Sequence, residues 1–386
     1  MSILLTNATI VLRDAVITNG WLLIEADLIA GVGAMPHAPS IHGAMVRDLG
    51  GALLIPGVID LHCDTIEKMV QPRPGVEISG AVALHITDRL LVNSGVTCEF
   101  HSLSLDDAEF GVRNEDFIQN FITEINRADH ASVRHYIHAR VEVSSARGAA
   151  ALSNIIDQPL VKLVSIMDHS PGQGQYVTDE SFRYYVAKTT GRTDSEIDEI
   201  IRTKAQLKAG IPDRIEHVVQ LCRNAHIPLA THDDDTIEKI NAWVEMGIGI
   251  SEFPTTMIAA AAAHQHGMLV GMGAPNVLRG RSSGGNLSAI DAIRAGHVDW
   301  LCADYYPAAM IPAAFALVDH GILDLPSAVA LITANPAQAI GMEHHIGQIA
   351  VGMSADLVVV TRTPQPIVRD VYVAGVQVLA SQAAPR

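Results

Sequence analysis

Charge is what this chain is short of. Asp, Glu, Lys and Arg make up only 18% of its 386 residues, against 48% apolar residues, whereas a disordered chain shows the opposite balance. Aromatics are scarce at 4%, so a core has to be built from aliphatic side chains. Cysteine occurs four times (Cys63, Cys98, Cys222, Cys302), far apart and with no CxxC pair. That excludes a disulfide framework or a zinc finger and reads as free thiols in a reducing cytoplasm. No apolar run reaches the ~20 residues of a membrane span; the best, Met257 to Ala274, is broken by His264, Gln265 and His266. Met1 to Asn7 lacks the basic n-region of a secretory signal, so no membrane partner is expected. Lys and Arg number 26 against 42 Asp and Glu, a net charge of −16. Nucleic acid is disfavoured as a partner, since binding it depends on basic residues that neutralise phosphates. A small phosphorylated substrate needs only a local basic cluster and is compatible with this balance.

A (β/α)₈ barrel takes roughly 250 residues, which leaves room for a second, smaller unit. Both ends of the chain read as short strands: Ile3–Leu12, Gly20–Ile29 and Ala44–Leu54 at one end, Asp356–Val360 and Ile367–Leu379 at the other, with Gly31-Val32-Gly33, Pro36 and Gly375 as turn signals. They are expected to meet in one small β-sandwich domain over 1–55 and 345–386. The middle, 56–344, alternates β-branched runs with helix-length stretches. The runs are Gly57–Leu61, Gly95–Phe100, Tyr136–Val143, Val161–Met167, Ile227–Thr231, Gly247–Glu252, Met268–Gly273 and Val298–Ala303. Helices are expected at Glu115–Asp129, Asp194–Ala209, Arg214–Ala225 and Pro326–Ile340. Alternating βα units predict a parallel sheet, and eight runs predict an α/β fold of the (β/α)₈ TIM-barrel type.

Histidine is plentiful, with 18 in all. Most of the apolar runs end in a His, Asp or Glu: His62-Cys63-Asp64, Glu142, Asp168-His169, His232-Asp233-Asp234, Glu252 and Asp304. In a parallel barrel these ends share one face, where such folds build their sites. Strand alternation puts His62 and Asp64 on one side and Cys63 on the other, toward the helix layer. Imidazoles and carboxylates together are the ligand set of zinc, and equally of manganese or iron, and the carboxylates are enough for one or two ions. Each residue alone has a plain explanation as a capped or solvated strand end. Asp233 to Asp235 also read as the start of the next helix, with Asp235 as the preferred cap. Cys63 reads as packing and His264 and His266 as exposed; His344 and His345 have no role. His85, His101 and His138 belong in the core or behind the ligands. It is the joint pattern that argues for a metal.

A second group of motifs suits an anion. Ser170-Pro171-Gly172-Gln173 follows His169, and Gly273-Ala274-Pro275-Asn276 follows the seventh run. Arg279-Gly280-Arg281-Ser282-Ser283-Gly284-Gly285-Asn286 offers guanidinium forks, hydroxyls and accessible backbone N–H groups. It lacks the Gly-Lys-Ser/Thr ending of a Walker loop, and a flexible loop is its plain reading. Lys68, and Arg73 on the stiff stem Pro72-Arg73-Pro74, add positive charge near Asp64.

Taken together, these residues resemble the amidohydrolase superfamily. The marks are Pro56-Gly57-Val58-Ile59-Asp60-Leu61-His62, the Asp304 strand end, Thr333-Ala334-Asn335-Pro336-Ala337 and the run Gly347 to Leu357. His62-x-Asp64 departs from the usual His-x-His of that superfamily. It is similar to one branch, the PhnM-type diphosphatases of phosphonate utilisation, as are Met167 to Gln173, His232-Asp233-Asp234, Glu252-Phe253-Pro254-Thr255-Thr256, Gly273 to Asn276 and Asp304-Tyr305-Tyr306-Pro307. The resemblance spans about residues 3 to 380. It implies hydrolysis of α-D-ribose 1-methylphosphonate 5-triphosphate to the 5-phosphate and pyrophosphate.

On that resemblance His62, Asp64, Glu142, His169, His232 and Asp304 hold one or two divalent ions, with Glu142 as bridge. Metal-bound hydroxide attacks phosphorus, and Asp304 takes or relays the proton. Glu252 is a further catalytic carboxylate, as ligand or behind the ligands. Lys68, Arg73, Ser170, Gln173, Asn276, Arg279, Arg281, Ser282 and Asn286 bind the substrate, with Arg73, Arg279 and Arg281 required to face the site. Glu99 and His101 are left without a role. The alternatives are hydrolysis of a C–N bond in a cyclic amide or amino-substituted ring, which would not need the 279–286 segment, and a non-catalytic scaffold, against which the complete ligand set argues. A cytoplasmic enzyme is expected, as a homodimer if it is an oligomer.

Overall fold

The computed structural model describes residues 2–73, 75–106, 112–128, 131–170, 179–282, 284–362 and 364–381. The chain opens with β1 (Ser2–Val11), β2 (Val16–Glu25), β3 (Leu28–Ala34), β4 (Met45–Asp48) and β5 (Leu53–Pro56). The region expected as one strand over Gly20–Ile29 is two strands, because Ala26 adopts φ +55° and reverses the chain. Ala44–Leu54 likewise divides, at Gly50 and Gly51, whose φ values of +61° and +84° favour glycine. Gly31 and Gly33 do not form a turn. They lie inside β3, where the Trp21 ring occupies the space side chains would take: a Cβ would come within 3.0 Å of Trp21 Cη2 at Gly31 and within 3.2 Å of its Nε1 at Gly33.

Eight parallel strands follow: β6 (Val58–Cys63), β7 (Val96–Leu105), β8 (Arg134–Glu142), β9 (Val161–Met167), β10 (Leu229–His232), β11 (Ile250–Glu252), β12 (Leu269–Gly273) and β13 (Trp300–Cys302). They pair in sequence order, each with the next, as the alternating βα pattern predicts. Every one of the eight expected runs carries one of these strands. The closing strands β14 (Leu357–Thr361), β15 (Ile367–Val373) and β16 (Val376–Ala380) return to the first sheet, where β14 runs antiparallel to β5. That sheet wraps a core of Leu5, Ile10, Leu22, Ile24, Leu54 and Tyr372. The two units are tied by Arg134 at the start of β8, which pairs with the buried Asp356 carboxylate and donates to Ser354 Oγ at 3.1 Å.

The barrel closes where β13 meets β6. Near the site end Cys63 bridges to Asp304; the Asp304 N–H donates to the His62 carbonyl and the Asp64 N–H to the Asp304 carbonyl, each at 2.8 Å. At the other end the closure is made by chain expected to be helical. The stretch Pro326–Ile340 is two short helices, Leu325–Ala330 and Ala334–Ala339. In the gap between them the Leu331 and Ile332 carbonyls accept from the Leu301 and Ile59 N–H groups. Those carbonyls satisfy strand-edge donors, and this is why the helix breaks there. Beneath the site the barrel is filled by Ile59, Leu61, Phe100, Leu163, Ile250 and Trp300. Among the described residues no helix is long and apolar enough to cross a membrane.

Candidate metal centre

Strand β6 presents His62 by way of a bulge. Asp60 pairs with Glu99 and Cys63 with His101, so β6 advances one residue more than β7. Such an extra residue re-aims side chains. Leu61 and its neighbour His62 therefore both face the interior, and His62 Nδ1 lies 3.3 Å from each oxygen of Glu252. Cys63 faces the helix layer among Leu91 and Val92, as expected.

Strand β8 sends His138, Arg140 and Glu142 inward by simple alternation. His138 Nδ1 donates to the Leu61 carbonyl at 2.9 Å, which makes Nε2 the bare nitrogen. Among the described residues that atom has no hydrogen-bond partner, and it stands 3.6 Å from Glu252 Oε2. Glu142 accepts from Ser144 Oγ and from the His169 N–H, and its Oε2 lies 2.8 Å from His169 Nδ1. Burial alone would raise the Glu142 carboxyl, but the His169 charge and hydrogen bond, with Lys204 and Ser144, outweigh it and hold it at about 2. Burial opposes the His169 charge as well; Glu142 and Asp233 overcome it and lift His169 to about 9. His232, at the end of β10, places Nδ1 3.0 Å from Asp233 Oδ2.

Among the described residues three groups of possible ligand atoms each lie within 4.8 Å of one another: His62/His232/Glu252 and His169/His232/Asp233, which share His232, and Asp60/Cys63/Glu99. Burial, then the Arg140 charge and the neighbouring imidazoles, push His62 well below its ordinary value; burial lowers His232 too. Burial pushes Glu252 well up. Asp304 is raised to about 7, first by burial and then by Asp64. The neutral His62 and His232 imidazoles beside buried carboxylates fit a divalent cation. The bare His138 Nε2 facing a carboxylate oxygen points the same way. Three residues that end or follow the site strands hold left-handed backbone: Asp233 (φ +60°), Phe253 (+52°) and Asp304 (+58°). Side chains larger than Gly rarely occupy this region outside turns and functional sites.

The cavity above these groups is ≈ 340 Å³ and is lined by His62, Asp64, Glu142, His169, His232 and Asp304, together with Asn276, Arg279, Ser282 and Asn286. Asn276 is spent on the loop beside it: its Nδ2 donates to the Leu287 carbonyl and its Oδ1 accepts from the Ala289 N–H, each at 3.0 Å. Lys68 donates to Asp64 Oδ1 at 3.1 Å and sits over the Tyr305 ring. Ser170 is buried and donates its N–H to Asp168 Oδ1. Arg73 and Arg281, required by the sequence reading to face the site, are exposed and do not line the cavity. Gln173 lies outside the described residues, as do Pro74 and Ser283 of the same motifs. The expected cap Asp235 is displaced by Thr236, whose hydroxyl accepts from the Lys239 N–H. Asp234 accepts from Thr231 Oγ1, Ser251 Oγ and Trp243 Nε1 and pins the strand ends.

Sequence reasoning passed over Arg113, Arg140 and Lys204 and named Asp233 only as part of a strand-end motif and helix start; all four line the cavity. Arg140 carried a signal, its position midway between His138 and Glu142 on one strand face. Lys204 rides on the helix Asp194–Leu207, which starts at a Thr193–Glu196 capping box. Ile197 and Ile200 pack this helix on Phe182 and Val186, and Lys204, one turn on, continues that buried face and donates to Ser144 Oγ at 2.7 Å.

The sequence pattern of the amidohydrolase family matches residues 85–378. The chain belongs to the amidohydrolase family. It is 34% identical over 366 residues, 93% of this chain and 95% of the relative, to α-D-ribose 1-methylphosphonate 5-triphosphate diphosphatase of Escherichia coli (strain K12). Among solved structures, molinate hydrolase superposes with a TM-score of 0.68 at 14% identity, covering 100% of this chain and 98% of that one. N-acetylglucosamine-6-phosphate deacetylase from Pasteurella multocida gives 0.65 at 15% identity, over 98% and 99%. These two likenesses show the fold. Members of the family are metal-dependent hydrolases, and the protein is an enzyme of this kind.

Proposed function

We propose that the protein hydrolyses α-D-ribose 1-methylphosphonate 5-triphosphate, or a closely similar triphosphate ester, to the 5-phosphate and pyrophosphate. The observation that carries this reading is the set of cations that line the same cavity as the imidazole–carboxylate groups. Arg113, Lys204 and Arg279 reach one cavity from three separate segments, although the protein as a whole is acidic. A polyanion needs those cations; a neutral cyclic amide gives them nothing to meet. His62, His232, Glu252 and Asp233 would hold the divalent ion or ions, with His169, Glu142, Asp64 and Asp304 around them; zinc heads the candidates, and manganese and iron suit the same donors. When bound, such an ion acidifies water and offsets charge on phosphoryl oxygens.

The chain's own residues do the rest. Lys204, Arg113 and Arg279 bind and orient the triphosphate. The attacking water forms a bond to the phosphorus nearest the sugar, the bridging P–O bond breaks, and pyrophosphate leaves as an anion. Asp304 takes the water proton at a carboxylate oxygen. Glu142, fixed by Ser144 and His169, holds the His169 ring in place. The same reading divides the chain into a hydrolase barrel over 56–344 and a small β-domain from 1–55 and 345–386, in a cytoplasmic protein whose four buried thiols stay reduced.

Phosphorus NMR of the metal-loaded protein tests it, with the ribose triphosphate ester in one sample and a plain nucleoside triphosphate in another. Pyrophosphate appears from the ester. If none is released, the diphosphatase reading is lost. Asp304→Asn should abolish turnover while the fold persists; near-normal activity would remove Asp304 from its role.

A further inference from the structure

Among the described residues, Arg140 is the Arg or Lys of the cavity that the proposed mechanism leaves unused. Its side chain projects from near the C-terminal end of β8 and the residue is only 7% exposed, yet it lines the cavity. Its Nε has no hydrogen-bond partner. Among the described residues no carboxylate lies within ion-pair distance of the guanidinium, and no carbonyl or hydroxyl accepts from it. Lys204 and Arg113, by contrast, are engaged, with Ser144 Oγ at 2.7 Å and Glu67 Oε2 at 2.9 Å. Arg279 is exposed to water.

A guanidinium stays charged at every pH a protein meets. Holding its Nε out of water without an acceptor is costly, and proteins retain such groups where a ligand completes them. Arg140 lines one cavity with His62, His232 and Asp304, and its charge acts on the Glu252 and Asp304 carboxyls as well as on the imidazoles, so what completes it lies beside the candidate metal ligands. Its planar fork matches two oxygens of one tetrahedral anion. We propose that Arg140 is a catalytic residue whose guanidinium binds the non-bridging oxygens of the phosphoryl group at which the bond breaks, so that the floor of the cavity is a tetrahedral-oxyanion site. The identity of that group rests on the diphosphatase reading; the oxyanion site itself does not.

The probe is inorganic phosphate, titrated by calorimetry into the metal-free protein and then into the metal-loaded protein. The wild type, Arg140→Met and Arg140→Lys are compared, with metal content and thermal midpoint measured beside them. Loss of the fork in Arg140→Met weakens phosphate by about tenfold or more. Arg140→Lys, which keeps charge but not the fork, falls between. Metal content is unchanged, and the thermal midpoint of Arg140→Met holds or rises, because an unpaired buried charge has been removed. With the ribose triphosphate ester, kcat falls by about a hundredfold or more while KM moves less. Phosphate binding to Arg140→Met within twofold of wild type, or no binding to wild type at all, overturns the site. If phosphate binding depends on Arg140 but the wild type releases no pyrophosphate, the diphosphatase reading fails and the oxyanion site stands. If pyrophosphate is released equally by wild type and Arg140→Met, that reading stands and the assignment of Arg140 falls.

Discussion

The Asp60 carboxylate accepts a hydrogen bond from the Ala303 N–H at 2.9 Å, across the seam where the first and last barrel strands meet. The same oxygen accepts from the His62 N–H at 3.3 Å. One side chain thus fixes the strand ends that carry His62 and Asp304. Asp60 is fully buried, and burial raises its carboxyl to about 7, against the two backbone hydrogen bonds that favour its charge. Glu99 beside it is raised as well, first by burial and then by Asp60.

Asp60→Ala would leave two backbone donors unpaired in a dry seam. The expected loss is about 2–4 kcal/mol of unfolding free energy, read by chemical denaturation, together with a fall in metal stoichiometry. Asp60→Asn keeps an acceptor oxygen and should recover much of the stability. An alanine variant as stable as wild type would mean that the seam is held by backbone pairing alone.

The strands were legible because each is an aliphatic run closed by a polar residue, and the parallel barrel collects those closures on one face. His62, His169, His232 and Asp304 were found that way. The bulge in β6 was not, since alternation assumes a regular ladder and nothing in Asp60-Leu61-His62-Cys63 announces an extra residue. Arg73 and Arg281 were chosen for neighbouring proline and glycine, which stiffen or free a loop but do not aim it. Lys204 was invisible for the opposite reason. It looks like any helix-surface lysine until Ile197 and Ile200 show which face is buried. The break in Pro326–Ile340 also escaped, because the gain that ends that helix lies in pairing with Leu301 and Ile59 far away in sequence.

Gly271 on β12 exists to admit the Trp300 ring. A Cβ there would stand 2.2 Å from Trp300 Cζ2 and 2.5 Å from Cε2, and the ring is fully buried. Gly271→Ala therefore has to push the ring into its neighbours, at a cost of about 1–3 kcal/mol or more. Denaturant unfolding should show a lower midpoint with an unchanged slope. A midpoint equal to wild type would show that the ring has room to shift.

Binding of a divalent ion should stabilise the fold, since the ligands are assembled only in the folded chain. At a free metal concentration a hundredfold above Kd the gain is about 2.7 kcal/mol, seen as a higher thermal midpoint that a chelator reverses. His232 is shared by the two histidine-bearing ligand groups, so His232→Ala should remove nearly all of the shift. A full shift in that variant would place the ion elsewhere.

Asp88 supplies a test of acid stability away from the site. Its carboxylate accepts from the Ser132 N–H at 2.8 Å and the Val133 N–H at 3.0 Å, and lies 3.2 Å from His135 Nε2. Burial works against its charge, but His135 and the two backbone N–H groups prevail and hold the carboxyl well below the ordinary carboxylate range. The unfolded chain therefore takes up the proton at a higher pH than the folded chain does. The stabilisation is complete above the unfolded value, about 3.9, and is lost as pH falls from there toward the folded value. Asp88→Asn should be less stable than wild type by about 2 kcal/mol at pH 7. The gap should hold down to about pH 5 and narrow below about pH 4. The measurement is urea unfolding of both proteins across that range. A gap that stays constant to the lowest pH would assign the difference to hydrogen-bond shape and not to the carboxylate's charge.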